Sequence, residues 1–226
     1  MAYIILIAIL LLMVFLPGYW VRHVLSKYAQ QEENFPGTGG ELARHLLNRF
    51  GLNHVRVEPT SLGDHYDPDD QCIRLTQDKF DGKTLTAITV ATHECGHALQ
   101  HAASEPLFLL RSRLARWTVW ANRLGSFLLF AAPFVALLTR TPSAALLNIL
   151  GAVLVMGFSL LVQMVTLPVE YDASFNKALP LLKAGYLGGH QVPAARKILR
   201  AAAWTYVAGS LATLLNFWRW IAVLRR

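Results

Sequence analysis

The chain has 226 residues, of which 54% are hydrophobic and only 15% charged, against about 25% charge in an average soluble domain. A mean hydropathy of +0.36 excludes a disordered chain, a simple coiled coil and a collagen-like fibre, and points to an integral membrane protein. The net charge of +7 suits either nucleic acid or the cytoplasmic loops of a membrane protein, while two cysteines, Cys72 and Cys95, are too few for a disulfide framework.

Residues 1–20 read as an uncleaved anchor. No Lys or Arg precedes the apolar run, and Pro17-Gly18-Tyr19-Trp20 is a poor cleavage site. The polar segment 21–116 reads as mixed α and β. Thr38-Gly39-Gly40-Glu41 has capping-box spacing, and Leu42, Leu46, Leu47 and Phe50 recur at helical spacing until Gly51 can end the helix. Residues 54–59 alternate around Val55 and Val57 as a short strand, 64–70 are rich in turn formers, and 72–76 form a second strand. From 84 to about 103 apolar and small side chains cover most of a helix, which should be buried. Residues 117–138 and 144–167 are long and apolar enough to cross a hydrocarbon core. A second polar segment, 168–200, precedes a fourth apolar stretch, 201–224.

Four spans place 21–116 and 168–200 on one side, with the termini and the 139–143 loop on the other. Almost all Lys and Arg fall in the two polar segments, while the opposite side holds Arg140, Arg225 and Arg226, with Arg219 near the interface. The positive-inside rule then makes both segments cytoplasmic, in a multi-pass protein of the cell membrane with both termini outside. The basic residues are dispersed and carry no binding motif, which argues against nucleic acid as a partner. The expected fold is mostly α: a four-span helical membrane protein with a small α+β cytoplasmic, zincin-like domain.

The buried helix contains His93-Glu94-Cys95-Gly96-His97. Residues four apart share a helix face, so both imidazoles can reach one Zn²⁺, and Glu94 can act as general base toward water activated by the ion. A third ligand is needed. The elongated form of the motif fails, because positions 100 and 103 are Gln100 and Ala103. His101 lies about 12 Å of rise beyond His93, too far for one tetrahedral ion, and suits a supporting or interface role. Glu105 and Glu170 remain as acids on the same side, and Glu170, at the mouth of the third span, is well placed to complete a His₂Glu set. Asp64, His65 and Asp67 offer a second metal site, although turn chemistry explains them more simply. Cys95 sits about 200° around the helix from His93 and suits packing. Tyr206 and His190 could stabilise an oxyanion, although packing or interfacial anchoring explains them more simply.

The chain resembles the bacterial membrane-bound neutral zinc metallopeptidases of the YugP type and, more distantly, the HtpX and CAAX-processing proteases of the gluzincin group. The resemblance rests on Thr38-Gly39 with Glu41, Asp64-His65-Tyr66-Asp67-Pro68, Arg74-Leu75, His93-Glu94-Cys95-Gly96-His97-Ala98-Leu99-Gln100, residues 166–174 and Ala202-Ala203-Trp204-Thr205-Tyr206-Val207-Ala208. It implies one Zn²⁺ per chain on His93, His97 and Glu170, with Glu94 as base. Many gluzincins place an Asp four residues after the ligand Glu; here that position is Ser174, and Asp172 is the nearest acid. In gluzincins a strand before the catalytic helix pairs with extended substrate, which nominates Cys72, Ile73, Arg74 and Leu75.

The expected function is therefore a membrane-embedded zinc endopeptidase, with the bilayer and protein or peptide segments, membrane proteins among them, as partners. Two rivals come from other classes: a catalytically silent metal-bound scaffold in membrane-protein quality control, and a zinc transporter or sensor. An intact Glu94 argues against the first. Against the second, the third span has only Gln163 as a strongly polar side chain.

Overall fold

The computed structural model describes residues 2–30 and 35–205. Helix α1 (Ala2–Lys27) ends by docking on the main body. There Val21 and Val24 are buried, Thr86 Oγ1 donates to the Leu25 carbonyl at 2.8 Å, and Thr86 N donates to the Tyr28 carbonyl at 3.1 Å. Helix α2 (Gly39–Arg49) opens with both halves of the capping box: Glu41 N donates to Thr38 Oγ1 at 3.2 Å, and Thr38 N donates to Glu41 Oε2 at 2.8 Å. Leu42, Leu46 and Leu47 enter the core, but Phe50 is the C-cap and stays exposed. The chain then turns at Gly51, whose φ of +73° favours glycine.

Three short strands follow: β1 (Arg56–Thr60), β2 (His65–Asp67) and β3 (Cys72–Thr76). Their order is β1-β3-β2, with β1 parallel and β2 antiparallel to β3. Strand β2 lies inside the stretch read as turns. Its brevity, bounded by Gly63 and Pro68, leaves no alternation long enough to register as a strand. The expectation of a substrate-pairing edge at Cys72, Ile73, Arg74 and Leu75 is corrected, because β3 is the middle strand and the edges of the sheet belong to β1 and β2.

After the single turn α3 (Gln77–Phe80), helix α4 (Leu85–Ala102) is capped by Thr84, whose side chain accepts from Ala87 N at 3.0 Å. It is buried along nearly its whole length, as its small and apolar composition requires. Helices α5 (Pro106–Thr139) and α6 (Pro142–Tyr171) form a hairpin, joined through Arg140 at φ +52° and tied by Asn148 Nδ2 donating to the Leu128 carbonyl at 2.7 Å. Beyond α6 the chain stays helical but winds wider, with π-type turns at Asp172–Ala178 and Leu182–Tyr186, before a helical stretch at 192–205. A Cβ on Gly96 of α4 would lie 2.8 Å from the Ala173 carbonyl oxygen, so glycine is what lets α4 and the π-type segment touch.

The architecture is mostly helical with one small sheet, but four spans are not borne out. Among the described residues no single helix is long and apolar enough to cross a membrane. The reasons are local. The last turns of α1 are built into the core. The 117–138 stretch belongs to a bent element, Pro106–Gly125 and Phe130–Thr139 meeting at 42°, and only that bent pair satisfies length and composition together. The 144–167 stretch does not end at a boundary but runs on through Pro168 into the turn that carries Glu170. Of 201–224, residues 206–224 lie outside the described residues.

Candidate metal centre

Helix α4 places His93 and His97 one turn apart, with ring centroids 4.7 Å apart and planes nearly perpendicular. Both are buried, and Glu170 from the end of α6 is completely so. Each Nε2 lies 3.2 Å from Glu170 Oε2. Among the described residues this is the one group of three or more His, Cys, Asp or Glu side chains whose donor atoms converge, all within 4.8 Å of one another.

Hydrogen bonds on the far side of each ring decide which nitrogen faces the convergence point. Gln100 Nε2 donates to the Val169 carbonyl at 2.9 Å and to Asp172 Oδ2 at 2.8 Å, which leaves its Oε1 toward His97 Nδ1 at 2.9 Å. Amide oxygen only accepts, so His97 Nδ1 carries the proton and Nε2 presents a lone pair. Ser174 Oγ donates to the Leu199 carbonyl at 3.2 Å and therefore accepts from His93 Nδ1 at 3.1 Å. His93 Nε2 is likewise a lone pair. Two lone pairs aimed at one carboxylate oxygen from 3.2 Å repel unless a cation lies among them. A buried N, N, O donor set of this kind is what a catalytic zinc site uses.

The other carboxylate oxygen of Glu170, Oε1, lies 3.1 Å from Arg111 Nη2. Burial opposes the charge on Glu170, yet His97 and His93 when also protonated at Nε2, together with the Arg111 guanidinium, hold its carboxyl well below the usual carboxylate range. Glu94 behaves in the opposite way. Burial pushes its carboxyl up to about 7, with His93 opposing and the Glu170 charge reinforcing the rise. Glu94, His93 and His97 line a cleft of about 240 Å³, walled by the start of β2, Val90, Arg111 and Ala202.

Other candidates lie elsewhere. His101 Nδ1 pairs with the Tyr66 hydroxyl at 2.9 Å, outside the convergent group, and Glu105 pairs with Lys177 at 2.6 Å. Asp64 accepts from Thr76 N and Oγ1, Asp67 pairs with Arg74, and His65 Nδ1 bonds the Gly63 carbonyl at 2.8 Å, so no second convergent group forms there. Cys95 is buried against the Ala43 carbonyl, and burial pushes its thiol up. His190 lines a different concavity. Tyr206 lies outside the described residues. Asp172 does reach His97, but through Gln100. Sequence reasoning missed Gln100, whose signal is its place three residues after His97, and Arg111, which carries no local signal.

A family model described as "Putative neutral zinc metallopeptidase" matches residues 3–225. The chain belongs to this family. It is also similar to "Putative membrane protease YugP" of Bacillus subtilis (strain 168), 32% identical over 206 residues that cover 90% of this chain and 88% of that protein. No solved structure matches. Membership implies zinc, and His93, His97 and Glu170 are the side chains here that fit it.

Proposed function

We propose that the protein is a zinc-dependent endopeptidase in which His93, His97 and Glu170 hold the metal and Glu94 is the general base. The observation that carries this reading is convergence: two imidazole lone pairs and one carboxylate oxygen meet in a cleft that Glu94 also lines. Zinc held there supplies Lewis acidity, polarising a scissile carbonyl and acidifying water. Glu94 takes the proton from the attacking water and delivers it to the leaving amine, and an ionisation near 7 suits both halves of that task. The Asp172–Gln100 and Leu199–Ser174 hydrogen bonds keep the imidazoles in the metal-binding tautomer, and Arg111 steadies Glu170. Segments 21–116 and 168–200 act as one catalytic unit, since the ligands are divided between them.

A silent scaffold has no use for a carboxylate beside the ligands in an open cleft, which favours the peptidase. We also place the enzyme at the cytoplasmic face of a membrane, with membrane proteins or juxtamembrane segments as substrates. Three things support this: the name of the Bacillus relative, the basic surplus of both polar segments, which suits an anionic inner leaflet, and α5. That helix brings Arg111 to the cleft and then exposes Trp117, Trp120, Phe127 and Phe134.

The test compares wild type with Glu94→Gln for bound zinc and for peptide hydrolysis. The amide variant keeps its zinc and loses at least about 100-fold in kcat, the lower range for a general base. Near-normal turnover in this variant would end the proposed mechanism.

A further inference from the structure

On the face of the 168–186 helix opposite Glu170 and Ser174 lies a concavity of about 940 Å³. Pro168, Tyr171, Phe175 and Leu179 recur along its floor at helical spacing, and the facing wall is the 192–205 helix. The two elements run antiparallel through the turn at 187–191 and are registered where Ser174 meets Leu199. Trp204 therefore lies toward Leu167 and Pro168, whereas Arg196 lies toward Lys183. The concavity is apolar at one end and cationic at the other.

The cationic end has no internal counterion among the described residues. Among the described residues no ion pair or side-chain hydrogen bond engages Lys183, Arg196 or Arg200. The one acid in the wall, Asp172, is already taken up by Lys177, Asn176 and Gln100. From Ala173 to Arg226 the sequence carries eight Lys or Arg and not one Asp or Glu, so the C-terminal segment has no acid to offer either. At the other end Tyr171 and Trp204 are exposed, with Tyr171 resting on Phe175 at 4.7 Å between ring centroids.

We propose that this concavity binds an anionic diacyl phospholipid of the phosphatidylglycerol class. Its phosphate sits among Lys183, Arg196 and Arg200, and its acyl chains lie along Leu167, Tyr171 and Trp204. Arginine and lysine supply charge-assisted donors to phosphate oxygens, and amphipathic rings suit the boundary between headgroup and chain. The inference rests on the membrane placement above only for the supply of lipid, and the experiment supplies lipid directly.

The test uses full-length protein in neutral detergent, titrated with phosphatidylglycerol or phosphatidylcholine brominated in the acyl chains, with quenching of tryptophan fluorescence as the readout. The part of the quenching that Trp204→Phe abolishes reports this site. It should half-saturate at about tenfold lower mole fraction for phosphatidylglycerol, a preference that weakens as salt is raised. Lys183→Gln/Arg196→Gln/Arg200→Gln should erase the preference, and Arg196→Lys/Arg200→Lys should keep most of it. Zinc content and far-ultraviolet circular dichroism establish that each variant is folded. Equal half-saturation for the two lipids, or an undiminished preference in the triple Gln variant, overturns the proposal. Full competition by glycerol phosphate or by a short oligonucleotide also overturns it, by assigning the cations to a free anion or to nucleic acid.

Discussion

Ser174 Oγ lies 3.1 Å from His93 Nδ1 and spends its own proton on the Leu199 carbonyl. A hydroxyl, with no charge of its own, thereby performs the orienting task that a carboxylate performs for the histidines of many zinc sites. Replacing it with Ala removes the acceptor and frees the imidazole to change tautomer. Ser174→Ala should weaken zinc binding about 10–100-fold, as measured by chelator competition, while the metal-free protein loses only about 1 kcal/mol. Unchanged zinc affinity would show that Ser174 does not orient His93.

Arg111 and Glu170 form a buried pair, and removing one partner leaves the other charge stranded. Arg111→Met should destabilise the metal-free protein by about 3–5 kcal/mol, read from denaturant unfolding. Adding Glu170→Gln to the same chain should recover much of that loss. If the double variant is as unstable as the sum of its parts, the two side chains are not coupled.

Gly96 faces the Ala173 carbonyl at a distance that no Cβ tolerates. Gly96→Ala should cost about 1–3 kcal/mol through overpacking and should also lower zinc content, because α4 and the segment bearing Ser174 are forced apart. Thermal unfolding and metal analysis of one preparation test both effects together. A variant with normal stability and full zinc would mean that the contact yields without strain.

Glu94 makes the stability of the metal-free protein depend on pH. Its folded carboxyl titrates near 7, above the ordinary 4.5, so between those values the folded state holds a proton that the unfolded state has released. This contribution is fully present below pH 4.5 and is lost as pH rises through 7, up to about 3 kcal/mol at 1.36 kcal/mol per unit. The difference between metal-free wild type and Glu94→Gln should therefore change against wild type as pH goes from 4.5 to 7.5. Parallel stability curves for the two proteins would contradict the raised ionisation.

Local signals were legible where the physics is local. Thr38 and Glu41 announced a cap that forms in full, and the small and apolar residues from 84 to about 103 announced a buried helix. The i, i+4 spacing of His93 and His97 placed two imidazoles together, and Glu170 does converge on them. What failed required knowledge of neighbours. Strand β2 exists because β3 is there to pair with it, so Tyr66 and its flanks read only as a turn. Gln100 looked like a departure from a longer motif until Val169 and Asp172 fixed its orientation. Apolar length suggested four straight spans, but length says nothing of the bend between Gly125 and Phe130, or of α6 running on into the site.

His97 and Glu170 are 73 residues apart in the chain, and the whole α5–α6 hairpin lies between them. At about 5–20 residues per second of synthesis, the two imidazoles emerge several seconds before their carboxylate partner is made. During that interval the nascent chain lacks a complete donor set, so metal capture must wait for both arms of the hairpin to be made and folded back. Translation order thus acts as a timer that keeps the centre unassembled until the chain has been made past Glu170.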